Sequence, residues 1–145
     1  MEFYFTEEAK IPDLASLIAE DQVAMKWLAF YSDPVRWVNS FSDNRQTLTV
    51  QNGEDVIGFI DLAYKYDSKT VAIDYCIFPP YRGQGKAKYL LKELHQWLLV
   101  NSSARSLVAY VDPENFPSVR ALEKVGYLNH GKVAWGLLLY TYFIQ

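Results

Sequence analysis

The loop Pro79-Pro80-Tyr81-Arg82-Gly83-Gln84-Gly85-Lys86-Ala87 lies between a predicted strand, Val71–Phe78, and a predicted helix that begins at once. Apolar residues at helical spacing indicate this helix: Ala87, Leu90, Leu91, Leu94, Trp97 and Leu98. The two glycines of the loop let the chain turn sharply and leave several backbone N–H groups exposed at the start of a helix, an arrangement that binds anions. Because Arg82, Lys86 and Lys88 add positive charge, the segment predicts a binding site for a diphosphate.

Three patterns of phosphate-binding loop can be compared with this segment. A Walker-type loop would need a glycine and then a serine or threonine where the chain has Pro80 and Ala87. A dinucleotide-binding fingerprint would need a third glycine where the chain has Lys88. Arg82, Gly85 and Ala87 do fulfil a third pattern, Arg/Gln-x-x-Gly-x-Gly/Ala. The alternative to this third pattern is a plain glycine-rich turn that binds nothing.

A second motif lies on the next predicted helix, at Asp112-Pro113-Glu114-Asn115-Phe116-Pro117-Ser118-Val119-Arg120-Ala121-Leu122-Glu123-Lys124-Val125-Gly126-Tyr127. It is similar to the segment N-x-x-S-x-R-x-x-E-K-x-G-F/Y of the Gcn5-related N-acetyltransferase (GNAT) superfamily, above all in its ribosomal-protein-alanine and aminoglycoside 6′-type members. The loop, with its lead-in Ile77-Phe78-Pro79-Pro80-Tyr81, resembles the coenzyme A loop of the same superfamily. The two motifs together are much more specific than either alone.

The resemblance implies an α/β (α+β) fold with a mixed, mostly antiparallel sheet, splayed at the cofactor site and flanked by helices on both faces. It implies an acetyl-CoA-dependent N-acetyltransferase that transfers the acetyl group directly to a primary amine of a small molecule or peptide, without a metal ion. By the same resemblance, the residues that hold the coenzyme A diphosphate are Arg82, Gly83, Gln84, Gly85, Lys86 and Ala87. The pantetheine arm would pair with the backbone near Cys76 and Ile77, and the Ile77 N–H would face the thioester oxygen. Asn115 and Ser118 would contact the pantetheine or its phosphate side.

Hydrophobic periodicity and turn signals give the order of elements along the chain. The predicted order is β-α-α-β-β-β-α-β-α-β in one domain, residues 1–145, with helices on both faces of a mixed sheet. Asp13 is the expected cap of the first helix, and Asp33-Pro34 opens the second. Asn52-Gly53 predicts a hairpin, and Lys132–Phe143 predicts a strand or a bent pair.

Composition excludes several classes of protein. With 145 residues, half of them hydrophobic, the chain is long enough to bury a core and too apolar for wholesale disorder. A single cysteine, Cys76, excludes a disulfide scaffold, and a net charge of −3 argues against a nucleic-acid partner. No signal peptide is evident, and the apolar stretch Val133–Ile144 is too short to span a membrane as a helix. We therefore expect a cytoplasmic protein whose partners are acetyl-CoA and an amine, with no membrane partner, and the resemblance adds a homodimer as a candidate assembly.

An amine acceptor must lose a proton before it can attack. An alkyl amine with a pKa near 10 is neutral in only roughly one molecule in a thousand at pH 7, a cost of about 4 kcal/mol. A nearby carboxylate can take that proton. Asp74 is the first candidate, since it interrupts an otherwise apolar strand where a bare charge is costly unless paired or used. Asp61, on the adjacent strand, is the second candidate, or else binds the cationic amine; the alternative for Asp74 is a purely structural carboxylate.

Other residues have less defined roles. Many family members carry a tyrosine that protonates the departing thiolate, and this chain has Leu122 at that position. Tyr140 or Tyr142 on the last strand is a candidate substitute, with packing as the alternative. His95 is expected on the polar side of its helix, in solvent. Cys76 is not expected to be a nucleophile, because the family usually transfers directly and no histidine is placed near it.

Five aromatic residues precede the second predicted strand: Trp27, Phe30, Tyr31, Trp37 and Phe41. With Asp33 and Asp43 they could hold a cation in an acceptor cleft, although a helix face packed on the sheet is the simpler explanation. Asn115 is likewise either a helix cap or a coenzyme contact. Two other functions stay open, namely a catalytically degenerate module that binds acyl-CoA and an interaction domain with an empty glycine turn.

Overall fold

The computed structural model describes residues 1–145 and follows the predicted order closely. The helical region before Asp33 is divided into two helices, and of the two alternatives for the tail it has the bent pair of strands, which begins at Leu128 rather than at Lys132. The strands are β1 Glu2–Phe5, β2 Arg45–Asn52, β3 Asp55–Tyr64, β4 Thr70–Ile77, β5 Ser106–Val111, β6 Leu128–Lys132 and β7 Leu138–Phe143. The helices are α1 Ile11–Ala19, α2 Gln22–Leu28, α3 Pro34–Asn39, α4 Lys86–Asn101 and α5 Phe116–Val125. None of them has both the length and the apolar character that crossing a membrane requires.

The sheet contains a gap between two of its central strands. The seven strands lie in the order β1-β2-β3-β4-β5-β7-β6, and every neighbouring pair is antiparallel except the parallel pair β4 and β5. These two strands pair only over residues 70–72 and 106–108. Beyond Ala72 the strands separate, while β5 continues beside β7. The mixed, mostly antiparallel and splayed sheet is therefore confirmed.

Each face of the sheet carries its own helices and its own apolar cluster. The larger cluster packs α4 and α5 on one face, and the smaller cluster packs α1, α2 and α3 on the other. Phe59 of β3 and Cys76 of β4 belong to the smaller cluster. Because side chains alternate along a strand, Asp61 and Asp74 share that face, and the strand register places them directly opposite each other.

The helix starts follow local chemistry, with one correction. Asp33 caps α3 as predicted, accepting a hydrogen bond of 3.1 Å from the Arg36 N–H. The prediction that Asp13 caps α1 is wrong, because α1 begins two residues earlier, at Ile11, and Pro12 occupies its first turn. The aspartate that caps a helix in this region is instead Asp21, at the start of α2.

The prediction for His95 is also wrong. Its side chain is only 5% exposed, its Nε2 lies 2.7 Å from the Tyr127 hydroxyl, and its ring stacks on Tyr142 at 4.1 Å. The residues four before and three after it on α4, Leu91 and Leu98, are fully buried, so position 95 belongs to the face that the sheet covers. Burial lowers the pKa of His95 to about 4, so the ring is neutral at neutral pH.

This buried histidine should make stability depend on pH. The unfolded chain takes up a proton at the ordinary histidine pKa of about 6.5, while folded His95 resists protonation until about pH 4, so acid favours unfolding. From about pH 7 to about pH 5, the wild type should lose about 2 kcal/mol more unfolding free energy than His95→Gln. Urea melts across this range measure the difference. The control is the same substitution at the exposed His130. Equal acid sensitivity of the wild type and His95→Gln would contradict the prediction.

Candidate active site

The gap between β4 and β5 opens into a cavity of about 960 Å³. Its walls come from the loop before α4, the exposed edge of β4, the end of β5, the first turns of α5, and α2. The predicted site residues that line it are Asp61, Asp74, Cys76, Ile77, Arg82, Gly83, Gly85, Lys86, Ala87, Asn115 and Ser118. Gln84 alone of the predicted set does not line it, and its side-chain amide donates to the Pro80 carbonyl at 3.3 Å.

The backbone N–H groups at the start of α4 are free. From Gly83 through Lys88 no amide donates a hydrogen bond to any protein acceptor. The first turn of a helix lacks intrahelical acceptors for its N–H groups, and left-handed glycines at Gly83 (φ +72°) and Gly85 (φ +73°) extend this free row backwards into the loop. The result is a concave set of donors at the positive end of a helix dipole, the arrangement that holds a diphosphate.

The Arg82 side chain points into the protein. Its Nε donates to the Ile77 carbonyl at 2.7 Å, and its guanidinium pairs with Asp21, with Nη1 and Oδ1 at 3.1 Å. Since Asp21 also accepts hydrogen bonds from the Val23 and Ala24 N–H groups, Arg82 ties α2 to the end of β4. The expectation that its charge is available to a diphosphate is therefore not met.

Four other cations line the cavity, on the loop side and on α5: Lys86, Lys88, Arg120 and Lys124. None of them makes a salt bridge within the protein. They lie on the cavity walls formed by the loop and α5, where Asp112 is the one carboxylate, so positive charge predominates on this side of the cavity.

The edge of β4 that faces the gap offers unpaired backbone groups. The Phe78 N–H points away from the gap and donates to the Ile57 carbonyl at 2.8 Å, while the Ile77 carbonyl points into the gap. Peptide groups alternate sides along a strand, so the N–H of Ile77 faces the gap, and that of Tyr75 does too. An extended chain lying in the gap can pair with this edge as an added strand.

Cys76 lies beside this edge, on the face of the sheet that packs against α1 to α3. Its sulfur is buried, 3.8 Å from Arg82 Nη2. Burial raises the pKa of the thiol to about 11, against the opposing effect of the Arg82 charge. Cys76 is thus a protonated thiol at neutral pH, in line with the expectation that it is not a nucleophile.

Asn115 and Ser118 lie at the start of α5, across the cavity from the loop. Asn115 occupies the N-cap position of α5, but its side chain makes no capping hydrogen bond. The capping role that the sequence leaves open for its side chain is therefore unused, and the amide remains free at the cavity wall.

Asp61 and Asp74 meet through a tyrosine that the sequence places in the aromatic cluster but does not connect with these carboxylates. Tyr31, in the turn after α2, places its hydroxyl oxygen 2.7 Å from Asp74 Oδ2 and 3.1 Å from Asp61 Oδ2. Tyr31 is only 2% exposed. No sequence spacing connects residues this far apart, so only the fold brings the three together.

Asp61 is enclosed by partners. Arg45 places Nε at 3.0 Å and Nη2 at 2.9 Å from its Oδ2, and the Thr47 hydroxyl donates to its Oδ1 at 3.1 Å. The Trp37 indole N–H in turn donates to the Thr47 oxygen at 3.0 Å. With 3% exposure and a cation beside it, Asp61 is a compensated internal charge.

Asp74 is the carboxylate open to the cavity. Its side chain is accessible from the cavity although it lies deep in the fold, and Tyr31 is its one side-chain hydrogen-bond partner. Burial raises its pKa to about 6; the Asp61 charge raises it too, while the Tyr31 hydroxyl and Arg45 oppose the rise. Such a group accepts and releases a proton close to neutral pH.

The other sequence candidates lie elsewhere. Leu122 is fully buried in the core under α5, and neither Tyr140 nor Tyr142 reaches the cavity, so neither replaces the missing tyrosine there. Tyr31 and Trp37 of the aromatic cluster pack against each other and against Phe59 of β3 with ring centroids 4.8 to 5.0 Å apart, as the packing explanation predicts. Trp27 alone of the cluster lines the cavity.

Comparison with known proteins agrees with this geometry. The sequence profile of the acetyltransferase (GNAT) domain matches residues 4–128. The uncharacterized prophage-derived N-acetyltransferase YokL of Bacillus subtilis (strain 168) is 26% identical over 93 residues, which are 63% of this chain and 52% of YokL. The chain thus spans about half the length of this relative.

Two solved structures show the same fold. Aminoglycoside acetyltransferase AAC(6′)-Ib in complex with coenzyme A superposes with a TM-score of 0.80 at 14% identity, over 97% of this chain and 93% of that one. Ribosomal-protein-S5-alanine acetyltransferase from Vibrio fischeri superposes with a TM-score of 0.77 at 14% identity, over 99% and 92%. These are the two classes that the loop and α5 motifs resemble.

Proposed function

The chain belongs to the acetyltransferase (GNAT) family, and from this premise we propose that it is an N-acetyltransferase that transfers the acetyl group of acetyl-CoA directly to a primary amine of a small molecule or peptide. The observation that carries the proposal is the row of free N–H groups from Gly83 through Lys88, which opens onto the same cavity as Asp74. One end of this cavity suits a diphosphate, and the other holds a carboxylate that titrates close to neutral pH.

Different residues along the cavity would bind different parts of acetyl-CoA. The loop amides of Gly83 to Ala87 would hold the diphosphate, with Lys86 adding charge. The backbone edge of β4 at Cys76 and Ile77 would pair with the pantetheine arm, and Asn115 and Ser118 would contact it from α5. In this proposal Arg82 acts by holding the end of β4 in place, since Asp21 neutralises its charge.

Acetyl transfer requires an activated carbonyl group and a group that accepts a proton from the amine. Bound acetyl-CoA would supply an acetyl group activated as a thioester. The amine nitrogen attacks the carbonyl carbon, the C–S bond breaks with its electron pair going to sulfur, and the nitrogen loses a proton to Asp74. The coenzyme A thiolate, the conjugate base of a thiol with a pKa near 8.5, leaves and takes its proton from water. The Ile77 N–H would stabilise the negative charge that develops on the carbonyl oxygen.

Acetyl-CoA binding is the first expected result. At a concentration of about 100 times Kd, a ligand of the folded state adds about 2.7 kcal/mol of stability, which should raise Tm by roughly 5 to 10 °C. Calorimetry should give the same Kd, and a panel of amines with thiol-release detection should then identify an acceptor. Binding without transfer to any amine would favour the catalytically degenerate acyl-CoA-binding module, and absence of binding would overturn the proposal.

A further inference from the structure

Tyr31 serves two carboxylates with a single hydroxyl proton. Its oxygen lies within hydrogen-bonding distance of both Asp74 and Asp61, and these two acids come from neighbouring strands. A hydroxyl donates one hydrogen bond at full strength and accepts others through its lone pairs. When both acids are ionised, only one of them can therefore accept the Tyr31 hydrogen bond at full strength. When either acid gains a proton, it can donate to the Tyr31 oxygen, and both acids are then hydrogen-bonded.

The surroundings decide which acid gains the proton. Asp61 has a salt bridge from Arg45 and a hydrogen bond from Thr47, so its carboxylate already has partners within the protein. Asp74 has only Tyr31 as a side-chain partner and opens into the cavity. The pair is thus asymmetric, with one carboxylate paired with a cation inside the protein and one acid that has a single side-chain partner and can take a proton from substrate.

We propose that Tyr31 is a positioning residue for the proposed reaction: its hydroxyl donates to the Asp74 carboxylate while that group waits for a proton, and turns its donation to Asp61 once Asp74 is protonated. The inference rests on the proposed function. In it Asp61 and Arg45, which also line the cavity, act on the reaction through Tyr31, and their role is to keep a second acceptor ready for the Tyr31 proton.

The proton balance closes within these residues. The amine N–H bond breaks, and its proton forms an O–H bond on Asp74. That new O–H donates to the Tyr31 oxygen, and the Tyr31 O–H donates to Asp61, whose charge Arg45 continues to balance. The departing thiolate takes its proton from water, and Asp74 afterwards releases its own proton to water in the cavity, so the site returns to its starting charge.

The groups that face Asp74 raise or lower its pKa according to their charge and hydrogen bonding. From β3 the negative charge of Asp61 raises it, from β2 the positive charge of Arg45 lowers it, and from the turn after α2 the Tyr31 hydrogen bond lowers it. Lys26 of α2 lines the same cavity. Removing Tyr31 and removing Asp61 should therefore move the titration of Asp74 in opposite directions.

The test is the pH profile of kcat/KM for the full chain. In Tyr31→Phe, loss of a hydrogen bond to a charged acceptor should move the acid limb up by about one pH unit. In Asp61→Asn, loss of the negative charge beside a retained Arg45 should move that limb down. If Tyr31 and Asp61 only supported the structure, their loss would lower kcat without moving the acid limb of the kcat/KM profile. An unchanged acid limb in both folded variants would therefore overturn the inference.

A direct titration separates this inference from the proposed function. Carbon NMR of the Asp74 carboxyl in the protein without coenzyme should show the same opposite shifts in the two variants, whether or not acetyl transfer is ever detected. The matched control is Tyr64→Phe, which removes a partly buried hydroxyl that accepts from Gln46 at 3.3 Å elsewhere on β3. Its Asp74 titration should match that of the wild type. Active enzyme with an unshifted Asp74 titration in Tyr31→Phe would overturn the inference alone.

Discussion

Replacing Asp74 with asparagine is expected to lower kcat for acetyl transfer by about 100- to 10,000-fold at neutral pH, with acetyl-CoA affinity unchanged. Asparagine keeps the size of the side chain and its place beside Tyr31, but it cannot accept the proton that the attacking amine must lose. The other acid of the site, Asp61, is compensated by Arg45 and is 3% exposed, so it offers no substitute.

The pH dependence of this defect identifies its cause. Near pH 10 a large part of an alkyl amine is already neutral in water, so the need for a proton acceptor falls and the loss of rate should shrink. Thiol release measures the rate, and calorimetry with acetyl-CoA checks the affinity. The control is Asp55→Asn, which removes an exposed carboxylate at the start of β3 and should leave both quantities unchanged. An Asp74→Asn variant that kept more than about a tenth of the wild-type rate would exclude Asp74 as the proton acceptor.

The elements and the binding end of the site could be predicted because their signals are local. The loop before α4 combines glycines, lysines and an immediate amphipathic helix within a few residues, and these neighbours alone create the free amides. The same holds for the Asp33 cap and for the β2–β3 hairpin. There the two-residue turn is Gly53-Glu54, one residue later than the Asn52-Gly53 signal implies, because Asn52 still pairs with Asp55.

The catalytic end could be predicted only in part because its contacts are long-range. Asp74 and Asp61 stand out as charges inside apolar strands, which is a property of each strand alone. Tyr31 stands out only as a member of the aromatic cluster and Arg45 does not stand out at all, and their roles appear only once β2, β3 and β4 are in register. The prediction for His95 is wrong for a different reason. Its spacing from Leu91 and Leu98 places position 95 on the buried face of α4, and only its polar ring favours solvent until Tyr127 and Tyr142 cover it.

Replacing Gly85 with glutamate is expected to weaken acetyl-CoA binding by at least about 100-fold. Gly85 is the residue before α4 and lies in the centre of the free amides. A carboxylate placed there would compete for the same N–H groups and would repel a diphosphate. The space itself is open, since a Cβ at Gly85 would meet no atom within 4 Å, so the effect is electrostatic and conformational rather than a clash with the core.

Backbone strain has to be separated from charge. Gly85 has φ +73°, where any other residue costs roughly 1 to 2 kcal/mol, so part of the effect could come from a distorted loop. Gly85→Ala carries the strain without the charge and should bind acetyl-CoA much more tightly than Gly85→Glu. Gly53 offers the matched control. It also has a positive φ, +59°, and a Cβ added there would meet no atom within 4 Å, but it lies in the β2–β3 turn and does not line the cavity.

Gly53→Glu should therefore lower Tm about as much as Gly85→Glu does while leaving the acetyl-CoA Kd at its wild-type value. Scanning calorimetry measures Tm and titration calorimetry measures Kd, both on the same samples of the wild type, Gly85→Glu, Gly85→Ala and Gly53→Glu. Wild-type affinity in a folded Gly85→Glu protein would mean that the free amides hold no diphosphate. The structure would then offer no binding site for acetyl-CoA in the cavity that contains Asp74, and the proposed reaction would lack its cosubstrate.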